Sequence, residues 1–345
     1  MREIKSNKKN PLKKIFIKIC RIFGFEVVDQ SNFTIPTSNK YVNESISVPG
    51  KNSVVLPLGR VEITRPVRSL DIILRTCMSV NMLTQSKKRM FEKDKEEYTI
   101  RTLISIIKSI EHAKSIFKNI KFKIFVIDHN SNKNQIDDMK SILNNSNINF
   151  EILNLNFKEF SNQIKKINEE NKEVTSNQKS NMSNIHHSLT LSREKSDDLT
   201  YFVEDDYIHE KISLAEMLYT YERISSLTKK ELIVCPTDYP YLYTQSENTK
   251  IFLGENRHWR QIDQTLCTFL TSKNIVEKHW EQLISMCKFE HYPFEKPLHN
   301  IYKKELCISP IPSLAVHFTN INSIYGLSPN VNWKKLWDEN ENQNK

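Results

Sequence analysis

Glycine is scarce in this chain: five of 345 residues, at Gly24, Gly50, Gly59, Gly254 and Gly326. Neither a GxGxxG fingerprint nor a GxxxxGK[ST] loop can be written with that spacing. Dinucleotide-binding dehydrogenases and P-loop NTPases are therefore poor readings. The six cysteines, Cys20, Cys77, Cys235, Cys267, Cys287 and Cys307, form no CxxC pair. They read as small buried residues of a protein in a reducing, cytoplasmic compartment. No apolar run approaches the ~18 residues of a membrane span. Lysines interrupt the N-terminal apolar stretch, so no signal peptide is expected.

What is present suffices for a core: 38% of residues are hydrophobic and 26% charged. The net charge of +9 suits an anionic partner, such as a diphosphate or acidic lipid. The basic residues are dispersed except near the N-terminus, and no finger, RRM or KH signature occurs, so no nucleic-acid partner is expected.

Residues 1–66 read as a basic amphipathic helix and an extended lead-in. From Pro11 to Gly24, Leu12, Ile15, Phe16, Ile19, Cys20 and Phe23 share one face, with Lys13, Lys14, Lys18 and Arg21 largely opposite. Such a helix suits an anionic membrane surface, with packing on the main domain as the alternative. That would place the protein peripherally at the inner membrane face. Residues 67–338 read as one α/β domain in two halves, 67–206 and 207–338. A polar tail (339–345) follows. Strands are expected at 70–76, 121–127, 150–155 and 199–203. Helices are expected at 98–119, 134–143 and 183–195, with a polar loop over 158–179. Alternating strands and helices imply parallel pairing, with ligands beyond the carboxyl ends of the strands.

Three strand ends carry polar residues: Arg75-Thr76, Asp128-His129-Asn130-Ser131 and Glu204-Asp205-Asp206. Three adjacent carboxylates repel one another, and a hard divalent ion such as Mg²⁺ or Mn²⁺ relieves that. The alternative is a solvated acidic turn. In order and pattern these segments resemble GT-A glycosyltransferases, similar to the bacterial family-2-like nucleotide-sugar transferases. Asp71–Cys77 (DIILRTC) looks like the first strand. Phe125–Asn132 (FVIDHNSN) looks like a V-D-D-x-S segment with His129 in place of the second carboxylate. Phe202–Tyr207 (FVEDDY) looks like a D-x-D motif beginning with Glu.

The resemblance implies a GT-A-like mixed, mostly parallel sheet flanked by helices. It implies a metal-dependent transferase moving a sugar from a nucleotide-diphosphate donor, UDP favoured, to a glycan or lipid-linked acceptor, with inversion. Asp128 would meet the nucleobase, Arg75 and Thr76 the nucleoside, and Asp205 the ribose or sugar. Asp206, with Glu204 close by, would hold Mn²⁺ or Mg²⁺, and a late histidine, His317, would join them; a satisfied core role for His317 stays open. On the acceptor side Tyr239, Trp259 and Arg260 are expected contacts, packing being the alternative for Tyr239 and Trp259. Asp263 and Asp238 are the candidate bases, with Glu255 third. The rival readings are a nucleotidyltransferase and a non-catalytic carbohydrate-binding protein.

Overall fold

The structure, a computed structural model, describes residues 11–25, 53–56, 59–79, 89–167, 171–244 and 248–342. Helix α1 (Pro11–Ile22) stands at the expected place, and Gly24 closes it with a φ of 81°. Its apolar side chains are bare: Leu12, Ile22 and Phe23 are each more than 70% exposed. Strands β1 (Ser53–Leu56) and β2 (Gly59–Glu62) form an antiparallel hairpin in the lead-in. The expected lead-in over residues 26–52 lies outside the described residues.

The main body alternates as expected. β3 (Ser69–Thr76), α2 (Lys95–Ile116), β4 (Lys121–Asp128), α3 (Lys133–Asn144), β5 (Asn149–Asn154), α4 (Ser176–Lys195) and β6 (Leu199–Glu204) follow in order. After them come β7 (Tyr207–His209), α5 (Ser213–Thr228), β8 (Leu232–Val234), β9 (Ile251–Leu253), β10 (His258–Gln261) and β11 (Phe269–Ser272). Helices α6 (Lys273–Lys278), α7 (Trp280–Lys288) and α8 (Lys296–Tyr302), strands β12 (Leu306–Ile311) and β13 (Ala315–His317), and helix α9 (Trp333–Asp338) complete the chain.

Nine strands form one sheet in the order β5-β4-β3-β6-β11-β8-β12-β10-β9. Only β11 and β10 run against the rest. Every residue of β3 is buried, because helices cover both faces. The pleat sends Leu70, Ile72 and Leu74 to the face under α2, α3 and α5, and Ile73 to the face under α4, α6, α7 and α8. Each such Leu or Ile contributes ~1.5–3 kcal/mol on burial.

Register does the positioning. Thr76 lies opposite Asp128 on β4, and Arg75 opposite Glu204 on β6, so the three polar strand ends meet at one edge. β7 leaves β6 directly after Asp206 and pairs with β13, setting Tyr207 against His317.

Two departures from expectation have local causes. α4 begins at Ser176, seven residues before Ser183. Thr175 and Gln178 form a reciprocal capping box that starts the helix in polar sequence. The polar stretch around His258–Gln261, where no element was expected, forms a strand and buries Trp259 completely.

Candidate active site

A cavity of about 750 Å³ opens at the carboxyl ends of β3 and β6. Its floor holds Arg75, Thr76, Glu204, Asp205 and Asp206, and His317 enters from β13. The start of α4 supplies a wall of polar side chains, among them Asn177, Gln178, Asn181 and Asn184. Arg89 and Lys95 close another side.

Each carboxylate of the acidic triplet has a different partner. Glu204 Oε1 lies 2.9 Å from Arg75 Nη2. Asp205 Oδ1 accepts from Lys95 Nζ at 2.6 Å, and its Oδ2 accepts from Thr99 Oγ1 at 3.1 Å and from the Cys77 backbone N–H at 3.2 Å. Asp206 Oδ2 meets Arg89 Nη2 at 3.3 Å, and its Oδ1 faces His317 Nε2 at 3.4 Å. The repulsion expected of the triplet is therefore offset by the protein's own cations. Burial disfavours the Asp206 anion, but His317, Lys95 and Arg89 outweigh it and hold the carboxyl far below the usual range. Burial likewise opposes the charge on His317, and the facing Asp206 still raises its pKa above the ordinary value.

At this cavity two guanidiniums each keep an unsatisfied donor among the described residues. Arg75 Nη2 and Arg89 Nε are buried without a hydrogen-bond partner; the contact of Arg75 with Glu204 is close but not aligned as a hydrogen bond. Arg75 as a residue is only 7% exposed. A buried donor without an acceptor costs about 1–3 kcal/mol, and an anionic ligand in this cavity would remove that cost.

The fit to a divalent ion can be tested on His317. Its Nδ1 lies 2.8 Å from the Tyr325 carbonyl, which only accepts, so Nδ1 donates. In the neutral ring Nε2 then presents a lone pair to a carboxylate oxygen, and a proton or a cation must stand between them. The ring is fixed by stacking on Tyr207, 4.5 Å between centroids and 5° between planes. Among the described residues no group of three or more His, Cys, Asp or Glu side chains forms a ready metal cage. Asp206 and His317 fit the other kind of site, in which one or two protein ligands are completed by substrate phosphates and water. Glu204, expected as a third ligand, turns instead to Arg75.

The other expected site residues are placed as follows. Thr76 lines the cavity, and its hydroxyl donates to Asp128 Oδ1 at 2.6 Å. Asp128 also accepts from Ser131 Oγ at 2.6 Å and Ser131 N–H at 3.1 Å. It is 3% exposed, fixes the turn after β4 and is not among the residues that line the cavity. Trp259 is fully buried and donates to Glu216 Oε1 at 3.2 Å, which corrects its expected acceptor contact to packing. Tyr239 is equally buried, with its hydroxyl 2.7 Å from that of Tyr207, and the same correction applies. Asp238 is fully buried and held by Arg260 and the Tyr243 hydroxyl. It cannot reach an acceptor and is corrected as a base. Arg260 and the exposed Asp263 line a second, separate cavity of about 440 Å³.

The cavity contains groups that the sequence reading missed. Lys95, in the first turn of α2, lines it three residues ahead of Tyr98, and Thr99 lies behind the wall, bonded to Asp205. The amide row of α4 was signalled by the Thr175-x-x-Gln178 box. Glu295 stands directly before α8; Pro297 marks the start of that helix, but nothing in the sequence singles out the carboxylate.

Neither a family model nor a curated protein matches the chain. Solved structures do. The chain is structurally similar to GT-A glycosyltransferases and to UDP-glucose pyrophosphorylase. S. aureus TarS 1–349 in complex with UDP aligns at 12% identity and a TM-score of 0.39, over 70% of this chain and 57% of that one. UDP-glucose pyrophosphorylase complexed with UDP-glucose aligns at 9% identity and a TM-score of 0.37, over 79% and 98%. The galactosyltransferase LgtC with donor and acceptor sugar analogs aligns at 9% and 0.36, over 78% and 94%. The chain spans about half the length (48%) of a further TarS 1–349 structure. At such scores the likeness is one of form, and no ligand or reaction is taken from it.

Proposed function

We propose that this chain is a glycosyltransferase that takes a sugar from a nucleotide-diphosphate donor with the help of a divalent cation. One observation carries the reading: two buried guanidiniums with unmet donors, Arg75 and Arg89, border the same cavity as the facing pair Asp206 and His317. That combination suits a diphosphate with a bound metal better than it suits a neutral sugar.

In this reading Arg75, Arg89 and Lys95 bind the diphosphate, and Asp206 and His317 hold Mn²⁺ or Mg²⁺. Such an ion supplies positive charge to the departing diphosphate. Asn177, Gln178 and Asn181 at the start of α4 face the nucleoside, and Asp205, held by Lys95 and Thr99, orients the ribose or sugar. UDP is the favoured nucleotide, the acceptor is a glycan or lipid-linked glycan, and the configuration inverts. The bare apolar face of α1, with Lys18 and Arg21 nearby in sequence, lies on an anionic membrane surface. Equal partitioning onto anionic vesicles by the protein with and without residues 1–25 would sink that part.

The testing experiment is calorimetry with UDP and GDP, with and without Mn²⁺, on the wild type and Asp206→Ala. Metal-dependent binding that the substitution abolishes supports the reading. No binding of either nucleotide under any condition refutes it and favours the non-catalytic alternative.

A further inference from the structure

Four carboxyl groups line the cavity, and three have cationic partners: Glu204 with Arg75, Asp205 with Lys95, and Asp206 with Arg89 and His317. Glu295 is the exception. Among the described residues it forms no ion pair, and its side chain caps no backbone N–H of α8. It is half-buried at the cavity wall, so its carboxyl reaches the space where a substrate would lie. Apart from a hydrogen bond to its own backbone N–H, no partner among the described residues fixes this carboxylate.

We propose that Glu295 is the catalytic base that takes the proton from the acceptor hydroxyl. The proposal rests on the nucleotide-sugar reading above. The acceptor oxygen uses its electron pair to form the bond to the anomeric carbon, and its proton passes to the Glu295 carboxylate. The bond from the anomeric carbon to the β-phosphate oxygen breaks, and that electron pair leaves with the nucleoside diphosphate. No other reactant is needed.

The surroundings suit the task. Burial is the largest influence on Glu295 and pushes its carboxyl up to about 7, with Glu204 adding to the rise and Arg75 and His317 opposing it. A base is most effective when its pKa lies near the working pH. Tyr325 and Cys267 lie within reach of its charge: burial is the larger reason that each ionises less readily, and Glu295 adds to it. The two carboxylates expected to serve as bases lack this position. Asp238 is sealed behind Arg260 and Tyr243, and Asp263 opens on the other cavity.

The experiment uses the full chain, Mn²⁺, and UDP-glucose, UDP-galactose and UDP-N-acetylglucosamine in turn, with water as the acceptor and UDP release as the readout. Calorimetry with UDP runs in parallel. Glu295→Gln should bind UDP within about twofold of the wild type while UDP release falls by about 10²–10⁴-fold. If Glu295→Gln lacks a cooperative thermal transition, Glu295→Asp replaces it, and release should fall while UDP binding holds. Release unchanged in a variant that binds UDP overturns the assignment of the base and leaves the donor reading standing. A wild type that binds no nucleotide overturns both.

Discussion

The two ends of the central sheet carry similar residues and use them differently. At the amino ends of β3, β6 and β8, Arg65 donates to Asp198 Oδ1 at 2.6 Å and to Glu231 Oε1 at 2.8 Å. Asp198 also accepts from the Arg68 backbone N–H at 2.8 Å, and Glu231 accepts from the Tyr221 hydroxyl. None of these polar side-chain atoms is left buried without a partner. At the carboxyl ends, Arg75 and Arg89 each keep an unmet buried donor, and a cavity stands open beside them. A closed network of charges fixes a fold; an open one, held in place at a stability cost, has room for a ligand. The acidic triplet alone does not distinguish the two cases, because cations offset carboxylates at both ends. What differs is whether every donor is used.

The sharpest way to test the contrast is to change one charge at each end. Asp206→Asn should cut sugar transfer by about 10²–10³-fold and abolish Mn²⁺-dependent UDP binding, while the chain still unfolds cooperatively. Arg65→Met should do the reverse. It leaves Asp198 and Glu231 facing one another and should cost about 1.5–3 kcal/mol of stability in urea denaturation, with UDP affinity unchanged. If Asp206→Asn unfolds the protein, or Arg65→Met abolishes UDP binding, the division between the two ends fails.

A finer comparison lies within the two-stranded ribbon. His209 and His317 occupy β7 and β13, and both are largely buried. His209 touches only neutral groups, Tyr201 hydroxyl at 2.6 Å and Ser105 Oγ at 3.2 Å, and burial pushes its pKa down to about 3. His317 faces Asp206, and its pKa is raised. The signs therefore oppose. Between about 6.5 and about 3 the unfolded chain takes up a proton that the folded His209 refuses. Stability should fall on acidification through that window, by up to ~1.4 kcal/mol per pH unit. The Asp206–His317 pair contributes its stability below the unfolded histidine value and loses it as pH rises through the raised one. Urea midpoints at about pH 7 and about pH 5.5 should differ less in His209→Gln than in the wild type. An equal difference would mean that His209 already carries a proton in the folded state.

Much of this architecture was legible in the sequence because local and global signals agreed. The strand at 70–76, the helix from Tyr98 and the strand at 121–127 were found within three residues, as their apolar periodicity is long and clean. The convergence of Arg75, Thr76 and the acidic triplet followed from parallel pairing alone. The rest depended on partners that spacing does not reveal. Nothing in Glu204-Asp205-Asp206 says that Arg75, Lys95 and Arg89 will each take one carboxylate. Trp259 and Tyr239 looked like acceptor contacts because aromatic residues in polar sequence suit either surface or core. The buried Glu216 and Tyr207 hydroxyl that claim their polar atoms are distant in sequence. Glu295 was missed because a single carboxylate before a proline-marked helix carries no motif.

The smallest expected effect concerns Asp263, which the sequence offered as a base. It is exposed and lines the second cavity with Arg260 and Lys250, and the Ile262–Leu266 segment runs between the two openings. Replacement of an exposed side chain away from buried partners shifts stability by no more than about 0.5 kcal/mol, so Asp263→Asn should keep its thermal midpoint. If the reaction is confined to the cavity at the strand ends, UDP release with water as acceptor should also stay within about twofold of the wild type, a difference of ~0.4 kcal/mol in barrier. A fall of about tenfold or more, with UDP affinity intact, would carry the reaction across that segment. The second cavity would then belong to the active site, and its Asp238–Arg260 pair, in which Arg260 Nε keeps an unmet buried donor, would support a working surface, unlike the pair formed by Arg65 and Asp198.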